Sequence, residues 1–508
     1  MLVVFFAIMI AIGIYSSKST KDVGGFVLGG RNIGPWLSAF AYGTSYFSAV
    51  IFVGYAGQFG WKFGVASTWV GIGNCIIGSL LAWVILGRRT RLMTHSLNSA
   101  TMPDFFEKRF DSRAMRILAA VLIFIFLIPY TASLYNGLSR LFEMAFNVDY
   151  TSCIIIMALI TAIYVIAGGY MATVISDFIQ GVIMLFGIVA VISAVLKING
   201  GFLGSLSALA EVSDPATSTQ PGVFASFFGP DPMNLLGVVV LTSLGTWGLP
   251  QMVQKFYAIK SEKSVYTGTI ISTLFAAVVA GGCYFLGGFG RLFSTPELVA
   301  QNGYDSIVPT MLSNLSDVMM GLIIVLVLAA SMSTLSSLVL TSSSSLTLDF
   351  LVPLSEKEMS EKKKVFIMRV LLAVFILISV IIAILQYTTN VAFIAQMMGL
   401  SWGALAGAFL APLLYGLYWK KTTKAACMTC MIIGPFIMIL NAFAKPIFPA
   451  ILQSPINCGA FTMILGIIIV PIISLLTKKP DETKINEIFA CYDEKVTVNA
   501  SQAMSAKE

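Results

Sequence analysis

Four segments of this sequence carry polar residues inside strongly apolar stretches. The first is Gly43-Thr44-Ser45-Tyr46-Phe47-Ser48, where glycine and hydroxyl residues can let a helix open and release backbone carbonyls. The second runs from Gly245 to Gln251 and includes Pro250, which removes a helix hydrogen bond and predicts a kink. For both segments, close packing of helices through small residues is the alternative interpretation.

The third segment, residues 330–345, places hydroxyl side chains along one face of a helix. Helical spacing aligns its small and hydroxyl residues in one stripe: Ala330, Ser333, Thr334, Ser337, Thr341, Ser344 and Ser345. Hydroxyl and carbonyl oxygens are the ligands that a hard monovalent cation prefers. The stripe therefore indicates a wet, ion-binding face, with a packing face of small residues as the alternative.

Asp177 is the fourth feature, because it is the only charged residue between Tyr150 and Leu196. An ionisable residue within a membrane span indicates a functional site, and a cation or a hydroxyl cluster is its expected partner. The alternative is an acid near the cytoplasmic interface that is solvated or caps a helix.

These segments lie in a chain whose composition is typical of a membrane protein. Of its 508 residues, 57% are hydrophobic and 11% are charged, whereas soluble proteins carry about 25% charged residues. This composition excludes a soluble enzyme, a disordered protein and a nucleic-acid-binding protein. We expect an all-α polytopic protein with about thirteen transmembrane helices, near residues 1–16, 36–57, 64–86, 117–144, 149–167, 172–196, 234–256, 265–289, 318–347, 366–386, 391–418, 424–444 and 459–477.

The basic residues predict how these spans are oriented. Most of the 31 Lys and Arg residues fall into loops on one side of the membrane, one of which holds Lys255, Lys260 and Lys263. Five remain for the other side: Lys62, Arg140, Lys197, Arg291 and Lys445. We expect a plasma-membrane protein. The positive-inside rule then predicts that its N-terminus lies outside and that its C-terminus, including the tail 478–508, lies in the cytoplasm.

The two interrupted segments occupy matching positions in the chain. They begin two sets of five predicted spans, about 36–196 and about 234–418, and the odd offset inverts the second set relative to the first. Interrupted helices at matching positions of two inverted halves indicate the midplane site of a transporter. We expect a single transmembrane domain over residues 1–477.

At these places the chain resembles the sodium/solute symporter family, which includes proline, pantothenate, sialic acid and sugar symporters. The residues that carry the resemblance lie in four segments: Tyr164 to Gln180, Ala330 to Ser337, Met102 to Phe110, and Ser401 to Phe409. The resemblance implies a leucine-transporter-type core of five-plus-five inverted repeats. It also implies import of a small solute driven by the sodium gradient.

The resemblance further implies where sodium would bind. The main site would use backbone and hydroxyl oxygens of Thr44, Phe47, Ala330, Ser333 and Thr334. A second sodium, which some sialic-acid-type members hold, would lie among Asp177, Ser333, Ser336 and Ser337. The expected partners are therefore a small-molecule solute, the sodium ion (Na+) and the lipid bilayer, with neither a nucleic acid nor an obligate protein partner.

The solute pocket departs from the pattern of proline symporters. Those carry an aspartate where this chain has Tyr46, and an aromatic pair near Thr242 and Thr246. The stretch from Gly248 to Pro250 is similar to pantothenate symporters, although Gln251 replaces their histidine. The solute stays open, and the residues expected in or near its pocket are Tyr46, Ser48, Trp69, Thr246, Trp247, Gln251 and Gln396.

Two other functions stay open at this point. The same fold could be coupled to protons, with Asp177 as the proton carrier, or it could sense a solute without transporting it. An enzyme is not expected, because the spans show no nucleophile–base pair and no cluster of metal ligands.

Overall fold

Helices make up nearly all of this protein. The structure is a computed structural model that describes residues 1–17, 22–146, 148–218, 220–313, 315–355, 358–389 and 394–493. Within those residues the extended contacts are two isolated bridges, and no strand is formed. The predicted all-α class is therefore confirmed. The start of the eleventh predicted span (391–393) and the end of the tail (494–508) lie outside the described residues.

The described part of the N-terminal half contains ten α-helices. They are α1 (Leu2–Ser16), α2 (Val23–Leu28), α3 (Pro35–Tyr46), α4 (Ala56–Phe63), α5 (Thr68–Gly73), α6 (Arg88–Ser96), α7 (Met102–Phe110), α8 (Arg113–Phe146), α9 (Tyr150–Ile198) and α10 (Gly201–Ala210). Tighter or wider helical turns connect several of them, at Val50–Tyr55, Gly64–Ser67, Asn74–Leu81 and Trp83–Gly87.

The described part of the C-terminal half adds twelve more. They are α11 (Pro232–Leu244), α12 (Pro250–Tyr257), α13 (Glu262–Gly287), α14 (Pro296–Asn302), α15 (Ile307–Leu312), α16 (Asp317–Ser345), α17 (Val352–Leu354), α18 (Glu361–Thr389), α19 (Ile394–Tyr418), α20 (Lys424–Phe443), α21 (Pro455–Leu476) and α22 (Glu482–Ala490). A wider helical turn at Leu346–Leu351 extends α16.

Ten helical stretches of the described chain are long and apolar enough to cross a membrane. Three shorter apolar helices accompany them, at Leu2–Ser16, Tyr150–Ile163 and Gly201–Ala210. The predicted number of thirteen spans is not confirmed, because helix breaks shorten some predicted spans and continuous helix joins others. The second predicted span, for example, is divided after Tyr46, and its end continues into the third span as Val50–Ser96.

Residues of special backbone conformation set several of these boundaries. Helices α3, α11, α12 and α21 each have a proline in their first turn, where the missing N–H would have no intrahelical partner. Gly169, at φ 53° and ψ −148°, interrupts the helical geometry of α9. Such a backbone is accessible to glycine because it has no Cβ. This interruption falls between the predicted spans 149–167 and 172–196.

Four helices meet where the polar segments lie: α3, α9, α12 and α16. Helix α3 packs against α9, α13 and α16, and α12 packs against α3 and α16. Gly43 allows the close approach of α3 to α13, since a Cβ at this position would lie 2.4 Å from Cδ1 of Phe275. Helices α19, α20 and α21 pack together beside this core, and α19 also contacts α8.

Candidate functional site

The first polar segment forms a break in a helix. Helix α3 ends at Tyr46, and Phe47 adopts an extended backbone with φ −102° and ψ 99°. Helical bonding resumes at once, because the Ser48 carbonyl accepts from the N–H groups of Ile51 and Phe52 at 3.0 and 3.1 Å. The last carbonyls of a helix have no intrahelical partners. The predicted opening of this helix is therefore confirmed, and it leaves oxygens of the last turn of α3 available to other groups.

The second polar segment forms a break of the same kind. Helix α11 ends at Leu244 and passes into a tight turn at Gly245–Trp247. Leu249 is extended, with ψ 123°, and α12 then begins at Pro250. The predicted kink is thus confirmed. Since α12 packs against α3, the two broken helices lie side by side.

The hydroxyl face of α16 meets the break in α3. The hydroxyls of Ser333 and Thr334 donate to the Thr44 carbonyl at 3.2 and 3.1 Å. The same two hydroxyls lie 3.1 and 3.2 Å from the Ala330 carbonyl within α16. All four residues are buried. Four oxygens that the family resemblance assigned to sodium therefore converge in one small region.

This group of oxygens has the chemistry of a site for a hard cation. Two carbonyls and two hydroxyls offer oxygen ligands without a thiolate or imidazole. The hydroxyl hydrogens can rotate away from the carbonyls, so that all four oxygens present lone pairs to one ion. Phe47 lies directly at the break, where its ring stacks on that of Tyr46 with centroids 4.2 Å apart. Its carbonyl as a fifth ligand stays a prediction.

Asp177 lies near this group of oxygens, and its carboxylate is close to a lysine. Its carboxylate Oδ2 is 3.7 Å from Nζ of Lys255, and both side chains are almost fully buried. Lys255 also donates to the Ser337 hydroxyl at 2.9 Å. That hydroxyl is in turn 2.8 Å from the hydroxyl of Ser45. The predicted partners of Asp177, a cation or the hydroxyls of the ninth span, are both found here.

The predicted position of Lys255 in a cytoplasmic loop was wrong. It lies within α12, with only 2% of its side chain exposed. Counting positive charges treats any lysine near the end of a span as part of the loop, and Lys255 is two residues from the end of α12 at Tyr257. A signal was present in the sequence, because an isolated intramembrane acid such as Asp177 calls for a partner, and a cation was one of the two that we expected.

Three of the residues predicted near the solute gather around one stretch of the third predicted span. The Tyr46 hydroxyl donates to the Thr242 carbonyl at 2.6 Å. The Thr246 hydroxyl donates to the Gly78 carbonyl at 3.1 Å, and the Trp247 indole N–H donates to the Ile77 carbonyl at 2.9 Å. The structure therefore brings Tyr46, at the end of α3, close to Thr246 and Trp247, in the turn after α11.

Ser48 and Gln251 are buried beside the same breaks. Ser48 borders a small, mostly apolar cavity that Phe47 and Ala330 also line. The Tyr130 hydroxyl lies near Ser48 and near the indole of Trp402. The sequence placed neither Tyr130 nor Trp402 near the solute, although Trp402 lies in the segment from Ser401 to Phe409 that carries the family resemblance. Each is an aromatic residue in an apolar span, and only the folded chain brings it to the break.

Trp69 and Gln396, also predicted near the solute, are not brought to this cluster. The Trp69 ring packs against Phe227 and Phe228, with centroid distances of 4.9 and 6.5 Å, and its N–H donates to the Phe227 carbonyl. Gln396 lies half-buried in the first turn of α19. Neither residue has a described contact with the two breaks.

Two broken helices that face a hydroxyl-lined helix, within a bundle of membrane-length helices, define a secondary transporter. The comparisons with known proteins agree with this class. The sequence profile of the Sodium:solute symporter family matches residues 26–434. Sodium/proline symporters of Staphylococcus aureus, strains JH9 and NCTC 8325 / PS 47, are each 31% identical to this chain over 509 residues, which cover 96% of this chain and 95% of each relative. The chain belongs to the sodium:solute symporter family.

Solved structures of transporters share this fold. A Na+-coupled sialic acid symporter in a substrate-bound outward-open state matches with a TM-score of 0.70 and 19% identity, over 95% of this chain and 98% of that chain. A nucleobase-cation-symport-1 family transporter in a closed conformation matches with a TM-score of 0.51 and 13% identity, over 91% and 97%. The predicted leucine-transporter type of fold is thus confirmed. The protein is a multi-pass membrane transporter and not an enzyme.

Proposed function

We propose that this chain imports a small organic solute into the cell, driven by the sodium gradient across the plasma membrane. The observation that carries the proposal is the convergence of the Thr44 and Ala330 carbonyls with the hydroxyls of Ser333 and Thr334. A sodium ion bound there would join the broken helix α3 to α16. The N-terminus would lie outside and the tail 478–508 in the cytoplasm, as the basic residues predict.

The proposed cycle is alternating access between the inverted repeats, about 36–196 and about 234–418. Sodium between α3 and α16 favours the outward-open state, and the solute then binds beside the two broken helices. Closure outside and opening inside release sodium along the hydroxyls of Thr341, Ser344 and Ser345. A membrane potential of about 100 mV adds about 2.3 kcal/mol per charge moved. This corresponds to about fifty-fold accumulation of a neutral solute for each sodium ion.

We propose that the solute is bound by residues gathered at the two breaks: Tyr46, Ser48, Thr246, Trp247 and Gln251. Tyr46 replaces the aspartate of proline symporters, and Gln251 has both atoms of its buried amide without a partner in the described part of the chain. Unpaired buried amide groups are costly, so a solute with hydrogen-bonding groups would stabilise this position. The family resemblance also implies a second sodium site among Asp177, Ser333, Ser336 and Ser337, but Nζ of Lys255 lies 3.7 Å from the Asp177 carboxylate there.

The test is uptake by the purified chain in proteoliposomes, with and without an inward sodium gradient. The panel should include proline and other amino acids, pantothenate and other carboxylates, sugars and sialic acids. Proline belongs in the panel because the 31% identical relatives are sodium/proline symporters. We expect one class of solute to accumulate only when the sodium gradient is present.

Two controls separate this proposal from its alternatives. Uptake driven by a pH gradient in sodium-free vesicles would favour coupling to protons. Solute binding that shifts the thermal unfolding midpoint, without uptake under either gradient, would favour a sensor. Either result would contradict sodium-coupled import.

A further inference from the structure

Lys255 reaches the centre of the molecule from the second half of the second broken helix. Its ammonium lies 3.7 Å from Asp177 Oδ2, 2.9 Å from the Ser337 hydroxyl and 5.3 Å from the centre of the Tyr170 ring. Every one of these partners is at least 97% buried. The lysine therefore has an anion, a hydroxyl acceptor and an aromatic face as its surroundings, which together form a complete site for one cation.

The charges at this place already balance. In their ionised forms Asp177 and Lys255 have opposite single charges, and the described groups that contact them are hydroxyls and a ring. A charge taken out of water needs a compensating partner, and each of these two supplies the other. A sodium ion added between them would leave the buried group with an excess positive charge at short distance from the ammonium.

The hydroxyls of Ser336 and Ser337 are also engaged. The Ser337 hydroxyl accepts from Lys255 and pairs with Ser45 at 2.8 Å. The Ser336 hydroxyl donates to the Ser333 carbonyl of its own helix at 2.9 Å. Ser336 and Ser337, which the resemblance assigns to a second sodium, therefore make other contacts while Lys255 is present.

The same contacts join both broken helices to the sodium-site helix. Ser45 is the neighbour of Thr44 in α3, and Ser337 lies one helical turn beyond Ser333 and Thr334 in α16. Lys255 thus connects α12 to the two elements that would hold the main sodium ion. The amine of Lys255 stays at this junction because it is covalently attached to the chain.

We propose that the Lys255 ammonium is a resident cation that takes the place of a second sodium ion at Asp177 and Ser337. The inference rests on the proposed sodium-coupled function and sharpens it, since the chain would then move one sodium ion per cycle. Lys255 is a positioning and specificity-determining residue, which sets the number of sodium ions by occupying a site that otherwise fits one.

The experiment counts 22Na+ bound by the purified full-length chain at saturating sodium concentration. We expect one sodium ion per wild-type chain. Lys255→Met keeps most of the side-chain volume but removes the charge, so the carboxylate of Asp177 and the released hydroxyls should hold a second ion and the count should double. In the double variant Asp177→Asn with Lys255→Met, the anion is removed as well, and the count should return to one.

Two results would overturn the inference. One is a count of two in the wild-type chain, and the other is an unchanged count in folded Lys255→Met. A wild-type count of zero would instead contradict the proposed sodium-coupled function. In that case the inference is decided by whether Lys255→Met gains an ion that the wild type lacks.

A further variant covers the case in which Lys255→Met does not fold. Asp177→Asn leaves the lysine in place and should bind the same number of sodium ions as the wild type, because Asp177 would not be a sodium ligand. Loss of one ion in Asp177→Asn would overturn the inference without reference to Lys255→Met. The arginine variant Lys255→Arg retains the charge and should also leave the wild-type count unchanged.

Discussion

The Ser333 hydroxyl donates to the Thr44 carbonyl across 3.2 Å, although the two residues are 289 positions apart in the chain. The carbonyl is accessible because α3 ends at Tyr46, just beyond Thr44, and Phe47 is extended. The hydroxyl faces this break because Ser333 lies on the side of α16 that packs against α3. One hydrogen bond thus joins the broken helix to the hydroxyl-lined helix at the place where sodium would bind.

Removing either hydroxyl at the main sodium site should lower sodium affinity. In Ser333→Ala or Thr334→Ala, we expect the sodium concentration for half-maximal 22Na+ binding to rise about ten- to hundredfold, since an interaction with a charged group contributes roughly 1.5–3 kcal/mol. Ser331→Ala is the matched control, because that hydroxyl donates to the Val327 carbonyl within the same helix. Unchanged sodium affinity in both site variants would rule out this assignment.

Adding a methyl group at the second break should destabilise the protein. A Cβ at Gly248 would lie 2.8 Å from the Ala406 Cα and from the Leu410 backbone nitrogen. Because backbone atoms cannot turn aside, Gly248→Ala should lower the free energy of unfolding by about 1–3 kcal/mol. The measurement is the thermal unfolding midpoint in detergent.

Gly281→Ala is the control for this prediction. A Cβ at Gly281, inside α13, meets nothing within 4 Å, and alanine is favoured over glycine in a helix by about 1 kcal/mol. We expect its unfolding midpoint to stay the same or to rise. Equal losses in both variants would show that the close approach of α19 to Gly248 does not determine the effect.

The ion pairs of Arg116 should contribute strongly to stability. This arginine donates to Asp349 at 2.8 Å and to Glu107 at 2.5 Å, and the Asp349 side chain is fully buried. Arg116→Met leaves a buried carboxylate without its cation, and we expect a loss of about 3 kcal/mol. Arg88→Met removes an exposed pair with Glu262 and should cost less than about 1 kcal/mol. Similar unfolding midpoints for the two variants would contradict this prediction.

Asp214, in the loop before α11, should make stability depend on pH. The Thr217 hydroxyl and then the Arg291 guanidinium hold the pKa of this carboxyl below its usual value. A folded-state pKa below the unfolded one stabilises the protein above the unfolded pKa of about 3.9, and this contribution is lost as the pH falls through the folded pKa.

The corresponding experiment compares Asp214→Asn with the wild type. The unfolding midpoint of the variant should be lower at pH 7, and the difference should shrink as the pH falls below about 4. Glu211→Gln, at an exposed position of the same loop, should behave like the wild type throughout. A difference for Asp214→Asn that is constant over this pH range would contradict the prediction.

The sequence by itself determined the features that depend on local chemistry. The breaks at Phe47 and before Pro250 follow from glycine, proline and hydroxyl residues. These residues destabilise a helix only within a few residues of their own position in the sequence. The hydroxyl stripe from Ser333 to Ser345 follows from helical periodicity alone. The membrane class follows from the low share of charged residues, and the resemblance to the symporter family extended these local patterns to a fold.

Only the tertiary structure decided which distant groups meet. Asp177 and Lys255 come together from different helices, and Tyr130 reaches Ser48 from another helix. Such pairings depend on how whole helices pack, which no local pattern specifies. The number of membrane-length helices also depends on where continuous helix passes from one predicted span into the next. A buried acid at Asp177 needed a cation or hydroxyl groups as partners, and only the packing of α12 against α16 showed that Lys255 is one of them.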